Sequence, residues 1–295
     1  MIEIRLAQAG DISSQKEIWK RCFGDPDSFI DLYYAQKYRA DETMLLLEDG
    51  VIAAMLTMLP VTATSSKNTS LEAAMLYAVA THPHYQKKGF AGKILAFTGE
   101  YLKENHKPYS VLVPATGRLF DFYRNYGYQE SFSLREAIFP PGQLHLFPKQ
   151  QAGNVRAYPA TPRQYNEIRE SLLEGLLHIS YPEEVIAYQQ LVAQYTGGNI
   201  YLLTCGSALG CAAVERHSAD KIALKDFLCP AELELPFLRQ LSEVFPAREY
   251  FLRTPAASFT ALPGQVCPFA MSKQHAEAPL KLGACADGYL GLALD

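Results

Sequence analysis

Apolar and polar positions along the chain switch repeatedly between the two-residue period of a strand and the wider spacing of a helix. Ile2 to Leu6 alternates as a strand, and Asp11 stands where it caps a helix running through Ile18 and Trp19 toward Phe23. Asp25-Pro26-Asp27 opens a second helix. Thr43 to Glu48 and Val51 to Thr62 form two strands joined at Asp49-Gly50, a dipeptide that favours the positive φ angles of a tight hairpin. A third strand, Leu71 to Thr81, runs into a basic, glycine-bearing turn. From Phe90 the residues Ile94, Phe97, Tyr101 and Leu102 recur at helical spacing, so a helix opens at that turn and packs one face on a sheet. Tyr109 to Val113 is a short apolar strand. A helix carrying Tyr123 then ends at Gly127 as a left-handed cap, and Tyr128 to Phe139 closes the unit as a strand.

Pro140-Pro141-Gly142 through Gly153 is rich in turn formers and has little periodicity, which makes 141–153 a linker between domains at 1–140 and 154–295. Beyond it the pattern starts again. Val155-Arg156-Ala157-Tyr158-Pro159-Ala160 echoes Ile4-Arg5-Leu6-Ala7-Gln8-Ala9, and Tyr201-Leu202-Leu203-Thr204-Cys205-Gly206 echoes Leu45-Leu46-Leu47-Glu48-Asp49-Gly50. The repeat breaks after the strand Lys221 to Leu228. There the turn is Cys229-Pro230-Ala231-Glu232-Leu233-Glu234, without glycine and with two carboxylates, before a helix that keeps Leu238, Leu241 and Phe245 on one face.

Length and composition agree with two ordered domains: 295 residues, 48% apolar and 20% charged, suffice for two cores of ordinary size. A net charge of −4 is a poor match to nucleic acid, whose phosphates call for a basic face, and a better one to a cationic amine. Met1-Ile2-Glu3-Ile4-Arg5 enters a strand directly with no export signal, and the apolar run from Val51 to Leu59 is too short to span a bilayer. The expected location is cytoplasmic, without a membrane partner. The six cysteines, Cys22, Cys205, Cys211, Cys229, Cys267 and Cys285, include no C-x-x-C pair and read as small buried hydrophobes. His82 and His84 flank a proline in a loop and are expected to be solvated, with no metal site.

The chemistry concentrates in Gln86-Lys87-Lys88-Gly89-Phe90-Ala91-Gly92-Lys93. The first N–H groups of a helix lack intrahelical partners and lie at the positive end of its dipole, so they bind anions. Glycine allows close approach to the backbone, and three lysines surround the spot. Each charge-assisted hydrogen bond contributes roughly 1.5–3 kcal/mol, enough in a cluster to hold a pyrophosphate.

Gln86-x-x-Gly89-x-Ala91 resembles the pyrophosphate signature of the GCN5-related N-acetyltransferase (GNAT) superfamily. Leu119-Phe120-Asp121-Phe122-Tyr123-Arg124-Asn125-Tyr126-Gly127-Tyr128 resembles its second signature, in the expected order and separation. The resemblance covers about residues 2–139. It implies an α+β fold with a mixed, mostly antiparallel sheet flanked by helices, whose fourth and fifth strands splay to admit the pantetheine arm of acetyl-CoA. With a second, degenerate GNAT-like domain lacking the pyrophosphate loop, the arrangement is similar to the first two domains of the enhanced-intracellular-survival (Eis) type of bacterial acetyltransferases. In that group the C-terminal carboxylate reaches the active site, a role the resemblance does not extend to Asp295, and the group's third domain is not expected here.

By this resemblance the backbone of Val79, Ala80 and Thr81 meets the pantetheine and the acetyl carbonyl. Lys87, Lys88, Gly89, Phe90, Ala91 and Gly92 surround the pyrophosphate, and Gln86 helps close the turn. Tyr123 matches the family's general acid, whose phenol donates to the coenzyme A sulfur. Leu119, Phe122, Tyr123 and Tyr126 also fall on one apolar stripe, so packing alone is open for Tyr123. The general base is unassigned: Ala73 to Ala78 holds no carboxylate, Glu72 would face the site only if a bulge reset the alternation, and His82 or water could serve. The implied activity is transfer of acetyl from acetyl-CoA to a primary amine of a small, cationic molecule, with a homodimer plausible. A peptide acetyltransferase and a non-catalytic acyl-CoA sensor are the alternatives.

Overall fold

The computed structural model describes residues 1–65, 67, 69–147, 154–258, 261–282 and 288–294. Its first part runs through strand β1 (Ile2–Leu6), helices α1 (Ile12–Phe23) and α2 (Asp27–Gln36), and strands β2 (Thr43–Glu48), β3 (Val51–Thr64) and β4 (Ser70–Thr81). Helix α3 (Phe90–Glu104), strand β5 (Tyr109–Leu112), helix α4 (Gly117–Arg124), strand β6 (Gln129–Phe139) and the one-turn helix α5 (Pro141–Leu144) follow. The second part has β7 (Val155–Pro159), α6 (Pro162–Leu172), β8 (His178–Ser180), α7 (Glu183–Tyr195), β9 (Asn199–Cys205), β10 (Ala208–Ser218) and β11 (Lys221–Leu228). It ends with α8 (Glu234–Val244), β12 (Glu249–Pro255) and β13 (Gln265–Gln274). Of the segment read as a linker, 141–144 form α5 and 148–153 lie outside the described residues, as do Cys285 and Asp295. No helix among the described residues is long and apolar enough to cross a membrane.

Local sequence accounts for these elements. Asp49 (φ 50°) and Gly50 (φ 81°) supply the two positive φ angles that turn β2 back on β3. Asp11 precedes α1 as expected, but its carboxylate makes no cap bond to the helix. It instead accepts from Arg5 Nη1 at 2.7 Å and from the Gln8 N–H at 2.7 Å, and the Arg5 guanidinium holds it below the usual carboxylate pKa. Helix α6 has the full capping box, Thr161 with Gln164.

The chain forms two compact units, neither of them a continuous stretch: Met1–Ala63, Ser70–Ser131 and Ala270–Ala284 make the first, and Thr64–Thr69, Phe132–Phe269 and Cys285–Asp295 the second. In unit 1 the strands lie in the order β1-β2-β3-β4-β5 followed by the Ala270 to Gln274 part of β13. Strands β4 and β5 are parallel, and β13 is antiparallel to β5, with Met271 opposite Leu112. In unit 2 the order is β7-β9-β10-β11-β12-β6, with β11 and β12 parallel and β6 antiparallel to β12. The two orders match strand for strand, including the place of the parallel pair.

The sixth strand of each sheet is the departure from expectation. Tyr128 to Phe139 was expected to close the first unit, but residues Phe132 to Phe139 belong to unit 2, and the strand beside β5 comes from 270–274. Alternation of apolar residues fixes which face of a strand is buried but not which strand lies next to it.

Unit 2 also buries a charged hub. Asp226 is fully buried and accepts from Tyr165 Oη at 2.7 Å, from Arg169 Nε at 3.0 Å and from the Tyr289 hydroxyl. Arg169 also donates to the carbonyls of Ile179 (2.9 Å) and Leu290 (3.0 Å), which ties residues 288–294 into the interior of the unit. Gly291 (φ 74°) passes so close that a Cβ there would lie 2.8 Å from Asp226 Oδ1. Replacing Asp226 with Ala removes the buried one of the two carboxylates that pair with Arg169, leaving only the part-exposed Glu170 at 3.1 Å, at a cost of up to about 3–5 kcal/mol. A clear fall in the denaturant midpoint is the expected result, and an unchanged midpoint would show the hub to be dispensable.

Candidate functional site

In unit 1 the pairing of β4 with β5 extends only from Ala73 opposite Tyr109 to Leu76 opposite Leu112. Strand β5 ends there while β4 continues to Thr81, so a slot opens between them beyond Leu76. Ala78 has φ 50°, a left-handed conformation in mid-strand for a residue that carries a Cβ. Its effect appears in the packing. Ala74 and Leu76 belong to the apolar cluster formed with Phe90 and Ile94 of α3 and Tyr123 of α4, and Val79 packs against the same cluster. Tyr77 instead faces Trp19 (centroids 5.7 Å apart) and Tyr33 (5.9 Å). An even-odd switch within three residues is the signature of a bulge, which re-aims the backbone at the mouth of the slot. Glu72 precedes the switch and is exposed near the start of β4.

The turn after β4 is closed by its own residues. Gln86 Nε2 donates to the Thr81 carbonyl at 3.2 Å, and Cys22 Sγ donates to the same oxygen at 3.3 Å. Lys87 (φ 63°) and Gly89 (φ 75°) then reverse the chain into α3, with open space around Gly89. No acceptor among the described residues takes the N–H groups of Lys87, Lys88, Gly89, Phe90, Ala91 or Gly92, and Gly89 offers no side-chain cap. The helix therefore presents its uncompensated amide dipole to solvent beside the slot.

The lysines divide between two surroundings. Lys88 Nζ is 2.6 Å from Glu48 Oε2 and lies over the rings of Tyr85 (5.0 Å) and Phe90 (5.7 Å). Lys93 lies over Phe90 at 5.6 Å. Lys87 is exposed and has no ion pair among the described residues. Gly92, chosen from sequence for close approach of a ligand, is approached instead by a side chain: a Cβ there would lie 2.5 Å from Tyr126 Cε1.

Tyr123 is 7% exposed and shares its cluster with Leu76 and Leu112, the last paired residues before the slot. Its ring meets Phe122 (5.2 Å) and Tyr128 (5.7 Å) edge-on, and its hydroxyl has no hydrogen-bond partner among the described residues. Burial pushes the phenol pKa up to about 12, so it is a proton donor at neutral pH. The neighbouring phenol of Tyr128 is committed: it bonds Ser110 Oγ at 2.8 Å, which in turn bonds His275 Nε2 at 2.8 Å. Burial holds His275 down at about 4, hence neutral.

His82, one candidate for the base, accepts the His84 N–H on Nδ1 at 3.3 Å, which engages its imidazole lone pair. Burial and the nearby His84 lower its pKa. No group of three or more His, Cys, Asp or Glu among the described residues is placed to hold a metal ion. Three features escaped the sequence: the bulge at Ala78, the seat of Tyr126 on Gly92, and the Ser110–His275 bond to a residue 165 positions away. In unit 2 the turn after β11 carries Glu232 and Glu234, and burial together with these carboxylates pushes the Cys229 thiol well up.

Residues 3–131 match a family profile described as an acetyltransferase (GNAT) domain. No curated protein matches the sequence. Among solved structures, a GCN5-related N-acetyltransferase from Anabaena variabilis is similar over 94% of this chain and 73% of its own, at 15% identity and TM-score 0.73. Eis1 from Mycobacterium abscessus is similar over 92% of this chain and 74% of its own, at 11% identity and TM-score 0.68. A tandem GNAT protein from the clavulanic acid biosynthesis pathway is covered completely, over 94% of this chain, at 11% identity and TM-score 0.55. At such identities the structures speak to the fold, a mixed sheet flanked by helices, and the profile match speaks to residues 3–131 alone. Residues 3–131, a little under half of the chain, carry the acetyltransferase (GNAT) domain of that profile, and the chain shares the fold of these GNAT structures.

Proposed function

We propose that this chain transfers an acetyl group from acetyl-CoA to a primary amine of a small, cationic molecule by direct attack in a ternary complex. The observation that carries the reading is the run of six consecutive N–H groups, Lys87 to Gly92, without acceptors at the mouth of α3, beside a slot between two parallel strands. The residues fit the co-substrate that GNAT enzymes share: an anion cradle stands at one end of the slot and a proton donor near its root. Lys87 and the α3 amides hold the diphosphate, and Lys88, from its pair with Glu48, adds to the local field. Gln86 pins the turn to Thr81, and the re-aimed backbone of Val79, Ala80 and Thr81 borders the pantetheine and thioester. As the amine nitrogen bonds the acetyl carbon and the carbon–sulfur bond breaks, Tyr123 gives its proton to the departing thiolate, and the proton lost by the acylated nitrogen restores the phenol through solvent. Unit 2, with glutamates where unit 1 has its glycine turn, holds no second co-substrate, so one acetyl-CoA binds per chain.

The test is free-thiol release from acetyl-CoA with polyamines, aminoglycosides, amino acids and peptides as acceptors. Release driven by small amines supports the proposal. Release driven by peptides alone refutes the small-molecule acceptor, and binding of acetyl-CoA with no release for any acceptor refutes the enzyme in favour of a sensor. Reversing both charges with Lys87→Glu and Lys88→Glu is expected to raise the Kd for acetyl-CoA roughly tenfold at low salt, less at high salt, because exposed charges are screened. Calorimetry showing no change would remove the lysines from the site.

A further inference from the structure

We infer that Tyr126 is a further ligand of the diphosphate, its phenol donating to a phosphate oxygen at the first turn of α3. The inference rests on the acetyl-CoA site proposed above and adds a side chain that neither signature contains in that role.

A Cβ placed on Gly92 would lie 2.5 Å from Tyr126 Cε1, 2.7 Å from its Oη and 2.8 Å from its Cζ. In an α-helix the Cα–Cβ direction tilts toward the N-terminus, so the phenol stands outward and N-terminal of Gly92. That position is beside the N–H groups of Phe90, Ala91 and Gly92, none of which has an acceptor among the described residues. The ring is held there by the end of α4. The Tyr126 N–H donates to the Tyr123 carbonyl at 2.9 Å, and the ring packs on Phe122 with centroids 4.9 Å apart.

The Tyr126 hydroxyl has no hydrogen-bond partner among the described residues, although its ring is half-buried. A phenol set against a helix surface normally finds a partner for its O–H. The free backbone groups at this end of α3, the N–H groups of Phe90, Ala91 and Gly92, are donors, which offer no lone pair. The acceptor that satisfies both the amides and the phenol is one and the same: an anionic oxygen lying over the turn. Gly92 then has a second reason to be glycine, since any Cβ would displace the donor from this position.

The test compares the wild type with Tyr126→Phe, which keeps the ring on Gly92 and removes only the hydroxyl. Acetyl-CoA and S-acetylpantetheine, which lacks the diphosphate, serve in turn as acetyl donors with one acceptor. The expected result is a KM for acetyl-CoA raised about tenfold, the loss of one hydrogen bond to a charged group. The kcat, the melting temperature and the kcat/KM for S-acetylpantetheine are expected to match the wild type. An unchanged KM for acetyl-CoA overturns the inference, and so does an equal loss with both donors, which marks a packing role. Failure of the wild type to bind acetyl-CoA at all would instead overturn the proposed function.

Discussion

Replacing Tyr123 with Phe is expected to lower turnover about 10²–10⁴-fold while leaving the affinity for acetyl-CoA unchanged. The leaving thiolate is a base, so it departs more readily when a proton is supplied. Burial holds the Tyr123 phenol near 12, which keeps that proton in place at every pH where an amine acceptor reacts. Tyr128, the adjacent phenol, cannot substitute while its hydroxyl is bonded to Ser110 at 2.8 Å. The pH profile carries the same logic. An acceptor amine becomes nucleophilic as it loses its proton, so the rate rises toward the amine pKa of about 10, and the phenol does not titrate away below that point. The variant should keep the rising limb and lose the height of the plateau. Steady-state kinetics with calorimetry decides the matter: a Phe variant with wild-type kcat would leave Tyr123 a packed aromatic and nothing more.

A fragment ending at Pro140 is expected neither to unfold cooperatively nor to bind acetyl-CoA, although it contains every residue assigned to the site. Strand β5 would lose its antiparallel neighbour, Met271 through Gln274, and the Ser131 Oγ bond to Ser272 Oγ at 2.7 Å. Met271 is fully buried in the cluster that contains Tyr123, so its removal opens the interior beside the proton donor. The fragment would at the same time expose Phe132, Leu134 and Phe139, each at most 1% exposed in the intact chain. At about 1.5–3 kcal/mol per large apolar side chain, these three alone amount to about 5–9 kcal/mol. That is comparable to the whole stability of a domain, about 5–15 kcal/mol. Circular dichroism melts and calorimetry on the fragment test this directly. A sharp melt accompanied by acetyl-CoA binding would show that the strand from 270–274 is dispensable.

The sequence by itself determined the elements that depend on neighbours within a few residues. The Asp49-Gly50 hairpin, the strand that runs into a basic glycine turn, and the helix opening at Phe90 all follow from local φ preference, period and capping, and all three stand where expected. The second-half echo of the first was also visible, because Val155 to Ala160 and Tyr201 to Gly206 preserve local patterns in β7 and β9. Only the tertiary structure decided what depends on partners far along the chain. A two-residue period marks Phe132 and Phe139 as buried, but it is blind to whether β5 or β12 lies alongside, since both neighbours reward the same alternation. The bulge at Ala78 leaves no compositional trace, because alanine is not the residue that a left-handed angle selects. The pairing of Lys88 with Glu48, 40 residues away, and the seating of Tyr126 on Gly92 are likewise products of packing between elements whose separation in sequence carries no signal.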